Sequence, residues 1–169
     1  MLDELPVAVL TDADRLRAVL PVAQVLGPAS LAYLDECDFR PAEAIPVDVL
    51  PRERADLATL LASGTADDAD ESGLAEITSR AFVVRSGTHV VAAAGYRRWP
   101  GQVAHMCVLT TPKHRGRGLA RVVASAAVAD GLANQLLPQW RARPASSRRV
   151  ARALGFRQLG GQLCVRIGA

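Results

Sequence analysis

The feature that most constrains the fold is a change of hydrophobic period near residue 80. From Ala81 onward, apolar residues come in short runs that are separated by the turn signals Ser86-Gly87-Thr88 and Pro100-Gly101. This pattern is typical of antiparallel strands joined by tight turns, and beyond residue 116 the spacing becomes helical. The predicted elements are strands over 81–85, 89–99 and 102–110, a helix over about 117–132, a strand over 136–142, a helix over 145–154, and one or two strands over 156–167. This order predicts an α+β (mixed α/β) class, in a single domain of residues 1–169.

The segment before residue 65 gives a weaker signal and is predicted to be mostly helical. Thr11-Asp12-Ala13-Asp14 resembles a capping box, and Pro28 and Pro51 are placed to open short helices that run to Leu34 and Leu61. Two short apolar runs in this segment are equally compatible with strands. They are 7–10 and 47–50.

Charge is distributed unevenly along the chain. Residues 1–79 contain 16 of the 17 acidic residues and five arginines, a formal charge of −11, and 63–73 is predicted to be a polar loop. Residues 80–169 contain 14 arginines, Lys113 and one acid, a formal charge of +14. The positive charge of residues 80–169 favours binding of a polyanion, either a nucleic acid or a phosphate-rich small molecule. Alternatively, the two halves pack together and neutralise each other. Aromatic residues are only 4% and do not alternate with the arginines, so nucleic-acid binding is disfavoured.

Several classes of protein are excluded by the sequence. No apolar stretch is long and uncharged enough to span a membrane, and Met1–Leu10 lacks the basic start of a signal peptide. The three cysteines are far apart and form no C-x-x-C pair, which predicts a reducing, cytoplasmic location without disulfides. The histidines lack metal-ligand spacing, so no metal is expected. A homodimer is left open.

The segment that carries chemistry is Thr110–Ala120, between a predicted strand and a predicted helix. Gly116 and Gly118 allow the backbone to approach a ligand, and successive N–H groups at a helix start form an anion-binding nest. Arg115 and Arg117 add forked donors suited to phosphate. Neither a P-loop nor a dinucleotide fingerprint fits these residues.

Lys113–Ala120 resembles the pyrophosphate-binding signature of the GNAT superfamily of N-acetyltransferases, [QR]-x-x-G-x-[GA], with Lys113 where Gln or Arg is usual. Ser147–Phe156, which ends in L-G-F, resembles a later block of the same family. The resemblance covers residues 80–169. It implies a GNAT-like central mixed sheet with flanking helices, in which 80–169 bind acetyl-CoA and 1–79 supply the acceptor side.

The resemblance also implies which residues hold acetyl-CoA. The strand end at 108–110 pairs with the pantetheine arm, the N–H groups of 115–120 cradle the pyrophosphate, and Ser147 lies near the arm. Pro144 stands where relatives often carry Asn. The predicted cofactor-binding residues are Val108, Leu109, Thr110, Lys113, His114, Arg115, Gly116, Arg117, Gly118, Leu119, Ala120 and Ser147.

The implied reaction is transfer of acetyl from acetyl-CoA to an amine of a small molecule or a protein. Relatives often carry a tyrosine acid at the position that is Ala151 here. His105, the one imidazole on the strand before the signature, is the candidate base, because a pKa near 6.5 suits proton removal at neutral pH; a hydrogen-bonded core role is the alternative. The missing tyrosine motivates a second hypothesis, a non-catalytic CoA-binding module. Tyr96 and Trp140 are weaker candidates for a proton donor and for the acceptor pocket.

Overall fold

The computed structural model describes residues 11–42 and 45–168. Within these residues the chain forms a seven-stranded mixed sheet flanked by five α-helices, which confirms the predicted fold class. The helices are α1 (Ala13–Val19), α2 (Ala55–Leu61), α3 (Ala66–Ser72), α4 (Leu119–Ala133) and α5 (Ala145–Ala153). The strands are β1 (Val22–Tyr33), β2 (Asp48–Leu50), β3 (Ala81–Ser86), β4 (His89–Trp99), β5 (Val103–Thr110), β6 (Leu137–Ala142) and β7 (Arg157–Ile167).

The strands lie in the order β2-β3-β4-β5-β6-β1-β7. All neighbours are antiparallel except β5 and β6, which run parallel because helix α4 connects them. The parallel pair lies in the middle of the sheet, where both faces are covered.

Two hydrophobic clusters cover the two faces of the sheet. Alternate residues of β5 point to opposite faces, so that Ala104 and Met106 pack under α4, whereas Cys107 and Leu109 pack against α2 and the segment after α3. The buried side of α4 consists mainly of Ala and Val, including the fully buried Val123 and Val128. These small side chains let the helix lie close to the sheet.

The N-terminal part departs from the sequence predictions. The predicted helix from Pro28 through Leu34 is wrong, because 22–33 form the long strand β1, which pairs with β6 on one side and β7 on the other. The predicted polar loop over 63–73 is also wrong. It contains α3, which Thr65 caps by accepting a hydrogen bond from Asp68 N–H, while the Asp68 carboxylate accepts one from Thr65 N–H.

Other N-terminal predictions fare better. Helix α1 is confirmed, with Asp12 as its N-cap, and α2 lies where Pro51 was expected to open a helix. The run 47–50 is a strand rather than a helix, whereas the run 7–10 falls outside the described residues.

The acidic and basic halves are joined by ion pairs, as the alternative reading of the charge asymmetry expected. The pairs that link 1–79 to 80–169 are Asp48–Arg85, Asp56–Arg85, Asp68–Arg115, Glu71–Arg143, Glu76–Arg97 and Asp38–Arg157. The charge of the basic half is therefore partly neutralised within the fold.

The end of α5 is held against a loop of the N-terminal half. The N–H of Arg40 donates to the carbonyl of Leu154 at 3.0 Å, and Gly155 has a φ of +101° directly beside the carbonyl of Asp38. A Cβ at Gly155 would overlap that carbonyl oxygen. Glycine is therefore required here by close packing.

Candidate active site

The sheet opens between its two parallel strands. β5 pairs with β4 along its whole length, but its pairing with β6 extends only from Val103 to His105. Beyond His105 the two strands diverge, so 108–110 have a strand partner on one edge and, among the described residues, none on the other. This leaves backbone groups available to a ligand that inserts as an extra strand.

A cavity of about 560 Å³ occupies this opening. Its walls come from the end of β5, the loop before α4 and the first turn of α4, and from α5. Trp140 of β6 and the inner side of α3 complete the lining. The volume lies in the range of small-molecule and cofactor sites.

The loop before α4 contributes a row of backbone N–H groups to this cavity. Gly116 and Gly118 both have a φ of +77°, and a Cβ on either would meet nothing within 4 Å. Within the described chain, the five successive N–H groups from Gly116 to Ala120 have no acceptor. The 15-residue helix α4 begins here, so its dipole adds to the same positive potential. The local conformation is therefore a nest of backbone N–H groups, a geometry that suits an anion.

Two polar atoms in the cavity wall are buried and have no partner among the described residues. They are Oγ1 of Thr110 and Nε of Arg121. A buried polar group without a partner costs free energy, about 1–3 kcal/mol, and a bound ligand with polar groups would remove that cost. Arg121 and Arg149 both line the cavity and form no ion pair with any described residue, so they add uncompensated positive charge to it.

Arg115 is already engaged by the opposite half of the molecule. Its Nη2 lies 2.8 Å from Oδ1 of Asp68, and its Nε donates to the carbonyl of Thr110 at 3.4 Å. The backbone N–H of Thr65 and the Arg115 guanidinium together lower the pKa of Asp68. Asp68 therefore stays ionised within the cavity wall, next to the nest.

Ser147 holds an aromatic wall of the cavity. Its Oγ accepts a hydrogen bond of 3.0 Å from Nε1 of Trp140, whose ring also packs edge-on against Phe156. Ala151, where relatives often carry a tyrosine, is buried. The hydroxyls in the cavity wall are those of serines and of Thr110.

Most of the predicted cofactor-binding residues line this one cavity. They are Val108, Leu109, Thr110, His114, Arg115, Gly116, Gly118, Leu119, Ala120 and Ser147. Lys113 and Arg117 do not line it. Asp68, Glu71 and Ser72 also line the cavity. The sequence predicted 63–73 to be a polar loop whose acids were at most contacts for a cationic substrate, so it did not place these residues beside the predicted cofactor site. Arg121 was also missed, although its position in the first turn after the glycines could have indicated it.

His105 lies outside the cavity lining, at the point where β5 and β6 separate. Its ring stacks on Trp99 with the centroids 4.4 Å apart, and its Nδ1 lies 2.9 Å from Oε1 of Gln139. Because an amide oxygen only accepts, the ring hydrogen is on Nδ1 and Nε2 keeps its lone pair. Gln139 in turn donates from Nε2 to Oη of Tyr33 at 2.9 Å.

The surroundings of His105 keep its ring neutral. Burial lowers its pKa from the ordinary value of 6.5, and the nearby guanidinium groups of Arg141 and Arg97 lower it further. The hydrogen bond to Gln139 and the charge of Glu76 act in the opposite direction. The net result is an imidazole that is available as a proton acceptor at neutral pH.

Tyr96 has a structural role. Its side chain is buried under α4, and its hydroxyl donates to Oδ2 of Asp130 at 2.7 Å. Burial and this contact raise its pKa. Tyr96 therefore does not face the opening between β5 and β6.

No helix within residues 11–42 and 45–168 is both long and apolar enough to cross a membrane. The His, Cys, Asp and Glu side chains of the same residues form no group of three or more that is suited to a metal ion.

A family model described as GNAT acetyltransferase matches residues 73–160, more than half of the chain. No curated protein matches the sequence.

Solved structures match the fold. An acetyltransferase from the GNAT family from Novosphingobium aromaticivorans is 22% identical, with a TM-score of 0.68 over 85% of this chain and 65% of that chain. A GCN5-related N-acetyltransferase from Kribbella flavida is 17% identical, with a TM-score of 0.66 over 94% and 64% of the two chains. An acetyltransferase from the GNAT family from Colwellia psychrerythraea is 12% identical, with a TM-score of 0.66 over 88% of this chain and 59% of that chain. The chain thus spans less than two thirds of the length of these proteins.

Proposed function

Because this chain belongs to the GNAT acetyltransferase family, we propose that it is an N-acetyltransferase that moves the acetyl group of acetyl-CoA to an amine. The observation that carries the proposal is the nest of five free N–H groups, Gly116 to Ala120, at the wall of a cavity that reaches the free edge of β5. Such a nest suits a pyrophosphate, and a free strand edge suits the amides of a pantetheine arm.

The residues present fit acetyl-CoA. The pyrophosphate would be held by the nest, and the arm by the backbone of 108–110. The unpartnered Thr110 Oγ1 and Arg121 Nε offer further polar contacts in the same wall. Arg121 and Arg149 supply charge for the phosphates, since neither is neutralised by a described acid. Hydrogen bonds to charged groups contribute about 1.5–3 kcal/mol each, so the nest and the arginines would dominate the affinity.

When bound, acetyl-CoA supplies an acetyl thioester, whose C–S bond breaks as the acetyl carbon bonds to the amine nitrogen, the sulfur leaving with the bonding electron pair. His105 would take the amine proton at Nε2, the nitrogen that Gln139 leaves with a lone pair. Burial raises the pKa of Cys107 to about 12, so this thiol stays protonated and is not a nucleophile for an acetyl-enzyme route.

A non-catalytic CoA-binding module is the second candidate. It is favoured by the buried alanine at position 151, because no tyrosine among the described residues then lines the cavity to protonate the departing sulfur. Under this alternative the protein binds CoA and acetyl-CoA equally well and transfers nothing.

A cytoplasmic location is part of the same proposal, because the three cysteines are far apart in the sequence and form no C-x-x-C pair, which suits a reducing compartment.

The test is a thermal melt with acetyl-CoA, with free CoA and without ligand, followed by turnover on a panel of amines. A ligand at 100 times its dissociation constant stabilises the folded state by about 2.7 kcal/mol, which gives a clear rise in Tm. No shift with millimolar ligand would refute the cofactor assignment. A shift without release of CoA on any amine would support the binding module.

A further inference from the structure

One guanidinium near the opening of the sheet lacks a counter-charge. Arg141 lies on β6 and is only partly exposed, and its Nε is buried without a hydrogen-bond partner. Among the described residues, Arg141 forms no ion pair. A guanidinium held in this way is costly unless a ligand or ordered water satisfies it.

The neighbouring charges are already paired with each other. Glu76 bonds to Arg97. Glu71 accepts from both the backbone N–H of Arg143, at 3.1 Å, and its Nε, at 2.6 Å. The opposite charges cancel within each of these two pairs, and the ring of His105 is neutral. Among the described residues, the face of the sheet around Arg141 therefore keeps one positive charge that no acid neutralises.

The strand geometry places Arg141 between the candidate base and the cavity. Trp140 and Ala142 point into the core under α4, so Gln139 and Arg141 point to the opposite face, towards His105. Successive residues on one face are about 6.6 Å apart, and Gln139 contacts His105. Just past the strand, Arg143 binds Glu71, which lines the cavity. Arg141 thus lies beside the opening, on the side of α2 and α3.

We propose that the acceptor is an amine that also carries a carboxylate, as a free amino acid does, and that Arg141 binds this carboxylate while the amine faces His105. The proposal rests on the proposed function and adds its substrate class. A cationic acceptor without a carboxylate is disfavoured, because Glu71 and Glu76 on this face are each already neutralised by an arginine. A guanidinium fork matches a carboxylate in geometry and charge.

The experiment compares amines that differ only by a carboxylate, with acetyl-CoA saturating. The pairs are glycine with methylamine, L-phenylalanine with 2-phenylethylamine, and L-lysine with cadaverine. We expect the carboxylate member of at least one pair to have a KM lower by tenfold or more. Arg141→Gln should raise that KM about tenfold to a hundredfold, as expected for the loss of a charge-assisted pair. The KM of the amine without a carboxylate should stay the same, and any change in kcat should be equal for both members, because Arg141 also lowers the pKa of His105. Arg141→Lys should retain part of the preference.

A binding measurement gives a readout that does not depend on turnover. Trp99 stacks on His105 and so reports on this face through its fluorescence. Titration of the CoA-loaded protein with N-acetylglycine or N-acetyl-L-phenylalanine should change the tryptophan emission, and the corresponding amides should have a much weaker effect. Arg141→Gln should abolish the difference. Arg166→Gln, on the exposed edge strand β7, is the matched control and should preserve it.

Two results would overturn the proposal. One is an equal KM within every pair, together with equal fluorescence responses to the N-acetyl acids and their amides. If no amine of the panel reacts, the equal fluorescence responses alone overturn the proposal. The other is a KM that rises by the same factor for both members of a pair in Arg141→Gln, which would show that Arg141 does not recognise the carboxylate. A failure of the proposed function is recognised separately, because acetyl-CoA would then not raise the Tm.

Discussion

The glycines of two segments, Thr110–Ala120 and Ser147–Phe156, have opposite surroundings. Gly116 and Gly118 lie in the nest with positive φ, and the space where their Cβ atoms would be is empty. Gly155, after α5, also has positive φ, but the Asp38 carbonyl fills the corresponding space. In the nest, glycine keeps room for a ligand. After α5, it allows one backbone to pack against another.

This contrast separates binding from stability. A side chain at the nest interferes with what binds there and costs the fold little beyond backbone strain. A side chain at Gly155 forces two segments apart. Substitutions at the two sites should therefore have effects that can be told apart, and the predictions below run from the largest expected effect to the smallest.

Gly116→Glu should abolish binding of acetyl-CoA. The carboxylate would occupy the nest with the charge of the ligand and remove two or more charge-assisted hydrogen bonds, a loss of about 4 kcal/mol or roughly a thousandfold in Kd. Calorimetric titration measures the affinity. Gly116→Ala is the control, because it carries the same backbone strain, about 1–2 kcal/mol, without the charge. Equal affinities for the wild type and Gly116→Glu would show that the nest holds no anion.

Gly155→Ala should lower the stability of the fold and leave the binding of acetyl-CoA unchanged. Positive φ and overlap with the Asp38 carbonyl should lower the free energy of unfolding by about 3 kcal/mol. For a domain of this size the Tm should fall by roughly 10 °C. The folded fraction should bind acetyl-CoA with unchanged Kd. An unchanged Tm would mean that the loop around Asp38 shifts at no cost.

His105→Ala tests whether a packed residue also acts in the reaction. Turnover at pH 7 should fall about a hundredfold, the lower limit for a general base, with the Kd of acetyl-CoA unchanged. His105→Gln is the matched variant, since it keeps polarity and part of the volume but removes the titrating group. Unchanged turnover in both would assign His105 to packing against Trp99.

The pH dependence provides a second check of His105. Burial lowers its pKa in the folded state, so between that pKa and the ordinary value of 6.5 the unfolded chain binds more protons. Its contribution to stability is therefore present above about pH 6.5 and is lost as the pH falls, and turnover should fall in the same direction. His105→Gln should flatten this part of the stability profile. A wild-type profile no steeper than that of the variant would contradict the lowered pKa.

The smallest expected effect concerns the charge beside the nest. Asp68→Asn should tighten binding of acetyl-CoA about twofold to threefold, because it frees Arg115 and removes a negative charge from the cavity wall. This size of effect is expected because a partly exposed ion pair contributes about 0.2–1 kcal/mol. The gain should shrink at high salt. Asp67→Asn, one residue away and exposed, is the control and should change nothing. Weaker binding in Asp68→Asn would show that the ion pair positions Arg115 for the ligand.

The sequence predicted best where its signals are local. The strands β3, β4 and β5 and the helices α4 and α5 were placed within one or two residues, because turn residues and hydrophobic period act over short distances. The segment 22–33 was misassigned in part, because its strand exists only through pairing with β6 and β7, more than a hundred residues away.

What the sequence by itself determined was the α+β class and the conformation of the nest, because glycine, proline and apolar spacing act through neighbouring residues. Only the tertiary structure decided which groups meet across the sheet. It placed β1 between β6 and β7, ended the pairing of β5 with β6 at His105 and brought α3 against Arg115. It also left Arg141 with no counter-charge among the residues that the structure describes. These contacts join residues far apart in the chain, so no local pattern of residues could encode them.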